Sequence, residues 1–142
     1  MKCVDPRFGE AGPTGAVCSP FPFPYTHSMS SCLFCRLAAA EIPAKVIYQD
    51  AEMLAFEDIN PQAPFHCLLI PRRHIASLDA MTAEDEPLLG RMLHRAALLM
   101  RERGHAEGGY RTVFNTNADA GQTVFHVHLH VLAGRSLAWP PG

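Results

Sequence analysis

Histidine alternates with aliphatic residues near the carboxyl end of the chain, in the run from 124 to 132. The histidines are His126, His128 and His130, and Val127 and Leu129 separate them. In an extended strand, side chains two residues apart project to the same face. One face of such a segment can bury in an apolar core, while the other presents three imidazoles to something polar. The spacing predicts that the whole run is a strand, because helical periodicity would scatter the imidazoles around the axis.

Composition favours one domain with a real core. The chain has 142 residues, of which 48% are hydrophobic and 18% charged, and its net charge is -2. Apart from Arg72 and Arg73 there is no cluster of cations, so long nucleic acid is not expected as a partner. No apolar run approaches the roughly 20 residues that a membrane span requires, so no membrane association is expected.

Five cysteines make a poor disulfide framework, because their number is odd. The close pair Cys32 and Cys35 is more typical of metal or redox chemistry in a reducing compartment. A thioredoxin-like redox pair, two unrelated core cysteines and a zinc site all fit this spacing. The amino-terminal stretch lacks the continuous apolar region of a secretory signal, so the cytoplasm is the expected location.

The first 28 residues differ from the rest in composition. They hold five of the twelve prolines and show neither helical nor alternating periodicity. Such a segment is typical of a disordered or loosely docked tail. We therefore expect a Pro-rich extension over residues 1–28 and one folded domain over 29–142.

Within this domain the pattern predicts a short helix, a long helix and five strands. The short helix follows Cys32 and ends near Pro43, and the long helix runs from near Pro87 to Gly104. The expected strands are 45–49, 53–59, 66–70, 110–116 and the histidine run. One long helix provides too few crossovers for a parallel sheet, so an α+β fold with a mainly antiparallel sheet follows.

A loop with phosphate-binding character precedes the histidine run. Gly121, Gln122 and Thr123 can present backbone N–H groups and a hydroxyl to an anion, and Asn115 lies shortly before them. A neutral imidazole can attack phosphorus, and a neighbouring one can hydrogen-bond the phosphoryl oxygens or protonate a leaving group.

The histidine run resembles the signature of the histidine-triad superfamily, His-x-His-x-His-x-x with apolar x. Three further stretches resemble the Hint branch of that superfamily, and so does the ending Gly134–Gly142. The three stretches are Glu41–Lys45, Ala55–Pro64 and Ile70–Ile75. The resemblance covers about residues 32–142 and implies a purine nucleoside phosphoramidase, which cleaves the P–N bonds of adenylated amines.

The resemblance also implies roles for individual residues. His128 matches the nucleophile, which attacks the α-phosphorus and forms a nucleotidyl-histidine that water then hydrolyses. His130 and Thr123 match positions that contact the phosphate and the leaving group, and His66 matches a supporting histidine. The remaining phosphate-side matches are Asn115, Gly121 and Gln122.

A nucleoside site is implied as well. Asp58 and Ile59 match its core, and a carboxylate can accept hydrogen bonds from both ribose hydroxyls. An apolar slot for the purine would be formed by Leu33, Phe34, Leu37, Phe56 and Ile59, and ordinary core packing is the alternative for all five.

The resemblance further implies a structural zinc and a homodimer, with no organic cofactor. Many bacterial members look similar in holding zinc with positions that match Cys32, Cys35, His74 and His126. In the family the sheet extends across two protomers, and Trp139 lies in the segment that shapes the partner's substrate entrance.

Three alternatives remain at this stage. The chain could be a nucleotide-binding regulatory or scaffold protein. It could be a zinc enzyme whose three triad histidines bind one catalytic metal. Within the family, a dinucleoside polyphosphate hydrolase is the nearest rival.

Overall fold

A computed structural model describes residues 31–141 of the chain. The predicted tail over residues 1–28 lies outside the described residues, as do positions 29, 30 and 142. Within the described range, no helix combines the length and apolar character needed to cross a membrane.

The structure contains a five-stranded sheet in which every neighbouring pair is antiparallel. The strands are β1 (Val46–Gln49), β2 (Met53–Glu57), β3 (Phe65–Pro71), β4 (Tyr110–Phe114) and β5 (Leu129–Ala133). Their order across the sheet is β1-β2-β3-β5-β4, which leaves β1 and β4 at the edges. The predicted α+β class and antiparallel sheet are confirmed.

Two helices cover opposite faces of the sheet. The short helix α1 (Leu33–Ala38) and the long helix α2 (Glu86–Glu102) confirm the predicted pair. Under α2 lies the larger core, which includes Cys67, Leu69, Leu129 and Val131 from the sheet. Under α1 lies a smaller core formed by Cys32, Phe34, Leu54, Phe56, Leu68 and Ile70. Alternate residues of β3 therefore separate into two cores, as strand geometry requires.

The long helix begins and ends where the sequence places its signals. Its start at Glu86 lies one residue before Pro87, whose missing N–H costs nothing in the first turn. A short 3-10 turn precedes it, and there the Thr82 amide donates to the carboxylate of Asp85 over 2.9 Å. After Glu102 the chain leaves the helix at Gly104, whose φ of +74° suits glycine.

The short helix ends earlier than the sequence predicts. It stops at Ala38 rather than near Pro43, because Ala40 adopts a φ of +58° and Glu41 donates its amide to the carbonyl of Arg36. Arg72 caps the end from outside, with its Nη1 2.8 Å from the carbonyl oxygen of Ala38. This cap comes from a distant segment and leaves no local pattern in the sequence.

The prediction that the whole histidine run is a strand is wrong. Strand β5 begins only at Leu129, because the preceding residues bond elsewhere. The amide of His126 donates to the carbonyl of Val124 over 2.9 Å, which turns the chain. The amide of Val127 donates to the carbonyl of Ile75 over 2.7 Å instead of to a neighbouring strand. Two of the three histidines thus precede the strand.

Candidate active site and metal centre

The expected division of the run between two environments holds despite its irregular start. Val127 lies with Leu129 and Val131 in the core under α2. His126 and His128 are buried instead beside Phe34 of α1, whose ring centroid lies 5.9 Å and 5.2 Å from theirs, respectively. The histidines therefore lie on the α1 face of the sheet.

Each histidine of the run has one ring nitrogen fixed by a hydrogen bond. Nδ1 of His128 lies 2.7 Å from the carbonyl oxygen of His126, so Nδ1 carries the proton and donates it. In the neutral imidazole, Nε2 of His128 then holds the lone pair. A nitrogen lone pair on a buried, oriented ring is the group that nucleophilic attack requires.

A second set of polar groups surrounds His130. We name Asp58, His66 and His130 the Asp-His cluster; their ligand atoms all lie within 4.8 Å of one another. The Gln62 amide donates to Nδ1 of His66 over 3.1 Å, so the His66 proton resides on Nε2. That nitrogen lies 2.9 Å from Nδ1 of His130 and 3.4 Å from Oδ2 of Asp58.

The hydrogen-bond chain also assigns the proton of His130. Since Nδ1 of His130 accepts from His66, the neutral His130 ring carries its proton on Nε2. His130 can therefore donate a hydrogen bond, whereas His128 can attack. The two rings lie 5.0 Å apart between centroids, close enough to act on one phosphoryl group.

Burial keeps both imidazoles of the Asp-His cluster uncharged at neutral pH. Burial lowers the pKa of His66, and the carboxylate of Asp58 partly opposes the shift. The pKa of His130 falls to about 4, because burial and the charges of His128 and His66 outweigh the attraction of Asp58. The tautomers assigned above are therefore those of neutral rings.

The loop before the histidine run is organised by its own polar groups. Gly121 adopts a φ of +79° and donates its amide to Ala118, while the Gln122 amide donates to the carbonyl of Asn117. The Gln122 side chain is buried and fully engaged with backbone groups. Thr123 is exposed at the end of this loop, and Asn115 is partly buried just after β4.

The residues matched to a purine slot fall into two groups. Phe34 and Phe56 are buried against each other, with ring centroids 5.8 Å apart, so they form core behind the site. Leu33 and Ile59 are exposed, Ile59 completely, and Leu37 is half-buried. Ile59 follows Asp58 of the Asp-His cluster directly in the sequence.

Trp139 lies apart from these groups in the carboxyl-terminal segment. Its side chain is 85% exposed. Arg111 of β4 anchors the residue before it, with Nη2 2.5 Å from the carbonyl oxygen of Ala138. Within the protomer, this segment therefore runs beside the edge strand β4 and leaves the indole uncovered.

The cysteine pair meets two histidines from distant segments. We name Cys32, Cys35, His74 and His126 the Cys-His cluster; their ligand atoms also lie within 4.8 Å of one another. Nδ1 of His126 is 3.5 Å from both sulfur atoms, and Nδ1 of His74 is 3.3 Å from Sγ of Cys35. Two thiols and two imidazoles are the donor set of a tetrahedral metal site, so these four residues could hold a metal ion.

The surroundings of the Cys-His cluster fit a bound cation. Nε2 of His126 donates to the carbonyl of Pro71 over 2.8 Å, which points the Nδ1 lone pair at the sulfurs. Burial lowers the pKa of His126 to about 4, so the ring is neutral. Burial, the hydrogen bond with Cys32 and the negative charge there raise the pKa of Cys35 to about 11. A bound cation would instead lower the pKa of Cys35 and hold both sulfurs as thiolates.

The geometry does not support one metal held by all three triad histidines. In the part of the chain that the structure describes, His126 belongs to the Cys-His cluster and His130 to the Asp-His cluster, while His128 belongs to neither. The three imidazole rings of the run therefore lie in three different environments.

Several known proteins resemble this chain in sequence and in fold. A family profile described as scavenger mRNA decapping enzyme, C-terminal binding, matches residues 31–138. A HIT family hydrolase from Legionella pneumophila Philadelphia 1 is 51% identical in its crystal structure. It superposes with a TM-score of 0.77, over 78% of this chain and 99% of that chain.

The chain belongs to the histidine-triad family. Its resemblance to that family is thereby confirmed. Among curated relatives of this histidine-triad protein, the purine nucleoside phosphoramidase of Escherichia coli K12 is 46% identical, over 74% of this chain and 88% of the relative. The crystal structure of a zinc-bound histidine-triad protein from Mycobacterium smegmatis is 34% identical. Its TM-score is 0.65, over 75% of this chain and 77% of that one.

Three contributors to the site were missed by sequence reasoning because they act through the backbone. The amide of Gln62 fixes the tautomer of His66, and the carbonyl of Pro71 fixes that of His126. The carbonyl of Ala76 receives the Gln122 side chain. Backbone groups leave no residue-type signal in the sequence.

Proposed function

We propose that this histidine-triad protein is a hydrolase that cleaves purine nucleoside phosphoramidates through a nucleotidyl-histidine intermediate on His128. The observation that carries the proposal is the hydrogen bond from Nδ1 of His128 to the carbonyl of His126. It leaves Nε2 with the lone pair on a ring that cannot easily rotate. The activity named for the Escherichia coli relative supports the choice of substrate.

The reaction proceeds in two steps, formation and hydrolysis of the nucleotidyl-histidine. In the first, Nε2 of His128 attacks the α-phosphorus, the Nε2–P bond forms and the P–N bond breaks. The departing amine takes up one proton from the medium. In the second, water attacks the same phosphorus, which breaks the Nε2–P bond, releases the nucleoside monophosphate and returns the proton.

The neighbouring groups stabilise the charge that develops on the phosphoryl oxygens. His130 donates from Nε2, and Thr123 and Asn115 supply further donors from the loop. His66 acts through His130, because its Nε2–H donates a hydrogen bond to Nδ1 of His130 and orients that ring. Gly121 and Gln122 shape the loop that carries Thr123.

The nucleoside is held beside the Asp-His cluster. Asp58 accepts from the ribose hydroxyls, although its Oδ1 also receives the amide of Asn60 over 2.8 Å. Ile59, Leu33 and Leu37 provide apolar contacts for the purine. Phe34 and Phe56 support that surface from behind rather than lining it.

The Cys-His cluster holds a structural zinc in this proposal. Cys₂His₂ donors without an open position suit zinc, and a zinc-bound relative supports the assignment. When bound, zinc would supply a rigid link between α1 and the segment of His126. Thiolate ligands require a reducing compartment, so the proposal includes a cytoplasmic location.

The proposal also includes a homodimer. Strand β4 is an edge strand whose outer backbone groups lack a neighbouring strand within the described residues, so a second copy could continue the sheet. The exposed Trp139 would then reach the partner's substrate entrance. No organic cofactor has a part in this chemistry.

The test is the turnover of adenosine 5′-phosphoramidate to AMP. The wild-type protein is expected to release AMP, and His128→Ala should lower the rate on the order of 10⁴-fold or more while still binding AMP. His94→Ala removes an exposed histidine of α2 and should leave the rate unchanged. Full activity in His128→Ala would refute the mechanism.

A substrate panel separates this proposal from its nearest rival. Diadenosine polyphosphates contain P–O rather than P–N bonds at the reacting phosphorus, and the same histidine could attack them. The proposal predicts a higher kcat/KM for the phosphoramidate. A preference for the diadenosine compounds would instead identify the protein as a dinucleoside polyphosphate hydrolase.

A further inference from the structure

Gln122 differs from the other polar residues of the phosphate-side loop in being almost completely buried. The residue is 5% exposed, and its side-chain amide makes three hydrogen bonds, all to backbone groups. Oε1 accepts from the amide of Asn117 over 2.8 Å. Nε2 donates to the carbonyls of Ala76 and Val124, over 2.7 Å and 3.1 Å. The side chain therefore has little capacity left to bind a phosphate itself.

The bond between the Asn117 amide and Oε1 of Gln122 connects the two ends of the loop. The backbone amide of Gln122 donates to the carbonyl of Asn117 over 3.1 Å, and the Gln122 side chain receives the Asn117 amide in return. Asn117 adopts a φ of +65°, in the left-handed region that asparagine enters more readily than most non-glycine residues. The paired bonds between Asn117 and Gln122 hold the backbone in this conformation.

The other bonds attach the loop to the segment before α2. Ala76 accepts from Gln122, and its neighbour Ile75 accepts from the amide of Val127 over 2.7 Å. His74, one residue earlier, belongs to the Cys-His cluster. The segment 74–76 therefore contacts the loop and the histidine run at consecutive residues, and Thr123 lies between these attachments.

We propose that Gln122 is a positioning residue that holds the loop 117–123 in the shape required to bind the phosphoryl group, and that it acts through Thr123 without contacting the substrate. The inference rests on the proposed function for the identity of the ligand. A primary amide is needed here, because one side chain must accept from Asn117 and donate twice to carbonyls. Glutamate lacks the donors, and methionine has neither donor nor strong acceptor.

The experiment compares ligands with and without a phosphate. Dissociation constants for AMP and adenosine are measured by calorimetry with the full chain, for Gln122→Met, the isosteric Gln122→Glu and the wild type. Both variants should weaken AMP binding at least about tenfold, since loss of buried bonds of this kind has an effect of that order. Adenosine binding should change less than about twofold, because Asp58 and Ile59 lie outside the loop.

A matched control is available on β1. Gln49 is exposed, and its side chain accepts one hydrogen bond from Arg72 over 3.1 Å. Gln49→Met makes the same chemical change away from the loop and should leave both affinities unaltered. If Gln122→Met did not fold, Gln122→Glu alone would decide, since it keeps the shape and the acceptor.

Two results would overturn the inference. One is an unchanged AMP affinity in a folded Gln122 variant, and the other is an equal loss for AMP and adenosine. If the wild type bound no AMP, the proposed function would fail separately. Hydrogen exchange at the amides of Asn117 and Gln122 would then decide the role of Gln122. Faster exchange in Gln122→Met supports it, and unchanged protection overturns it.

Discussion

The two histidine clusters differ in the side chains that accompany their imidazoles. Each contains two imidazoles, but the Cys-His cluster adds two thiols and the Asp-His cluster adds one carboxylate. Sulfur donors favour a closed metal site, whereas the carboxylate leaves a hydrogen-bond chain that ends on an N–H of His130. The same sequence motif therefore contributes histidines to both clusters.

The ring of Phe34 contacts both a histidine of the Cys-His cluster and the neighbouring His128. Phe34, placed between Cys32 and Cys35 in the sequence, packs edge-on against both His126 and His128. His128 also donates to the carbonyl of His126. A change in the Cys-His cluster should therefore affect stability first, while a change in the Asp-His cluster should affect ligand binding first.

Among single substitutions, the largest effect is expected from removing a ligand of the Cys-His cluster. Cys35→Ser, or removal of the metal by a chelator, should lower the free energy of unfolding by about 3–5 kcal/mol, because a structural metal stabilises only the folded chain. Urea unfolding with metal analysis measures both quantities. Cys67→Ala removes a buried thiol outside the cluster and should leave the metal content unchanged. Equal metal content in Cys35→Ser would contradict the assignment.

Acidification should destabilise the protein through its buried neutral imidazoles. In the folded metal-free protein the pKa values of His126 and His130 are about 4, against 6.5 for ordinary histidine. The unfolded chain takes up protons first, so this stability is fully present above pH 6.5 and is lost as the pH falls toward 4. Each ring contributes a slope of up to about 1.4 kcal/mol per pH unit.

Urea unfolding between pH 7 and pH 4 checks this slope. His130→Gln should make it shallower by one ring's contribution, since glutamine does not titrate. A stability that stayed constant across this range would show that neither ring is buried in its neutral form.

In the Asp-His cluster, Asp58→Asn should change ligand binding more than stability. The carboxylate raises the pKa of both His66 and His130, so its removal should lower both, which an NMR titration of His66 detects. Adenosine affinity should fall about tenfold, because a hydrogen bond to a charged group is worth about 1.5–3 kcal/mol. Asp79→Asn, at an exposed position, is the control. A rise in the pKa of His66 would contradict the prediction.

The smallest effect is expected at Ile59, an exposed residue of the proposed nucleoside site. Ile59 is completely exposed, so Ile59→Ala should change the free energy of unfolding by less than about 0.5 kcal/mol. Adenosine affinity should nevertheless weaken about three- to tenfold through lost apolar contact. Val46→Ala, on β1, provides the comparison. If Ile59→Ala left adenosine binding intact, the purine slot would lie elsewhere.

The sequence predicts those features that depend on side-chain alternation and helical spacing. The pattern around Met92, Ala96 and Met100 located α2, and the alternation of Val127, Leu129 and Val131 located the core face of the histidine run. It could not predict where β5 begins, because the amide of Val127 pairs with a loop carbonyl of Ile75 that lies far away in sequence.

In the site, too, the sequence predicted the grouping of residues but not the contacts that depend on distant backbone groups. The grouping of Cys32, Cys35, His74 and His126 was anticipated through resemblance, and the structure brings all four together. The tautomers were not predictable, because they depend on backbone partners such as the Pro71 carbonyl and the Gln62 amide. The aromatic residues matched to the purine slot were harder still, since a buried and a ligand-lining phenylalanine have the same sequence signal.

The most direct test of the mechanism is to trap the intermediate. The protein is mixed with an adenosine 5′-phosphoramidate labelled on its α-phosphorus, quenched in alkali to preserve phosphohistidine bonds, and mapped by mass spectrometry. The account predicts a nucleotidyl group on His128. A label on His130 or His126, or turnover with no protein-bound label in single-turnover experiments, would contradict it.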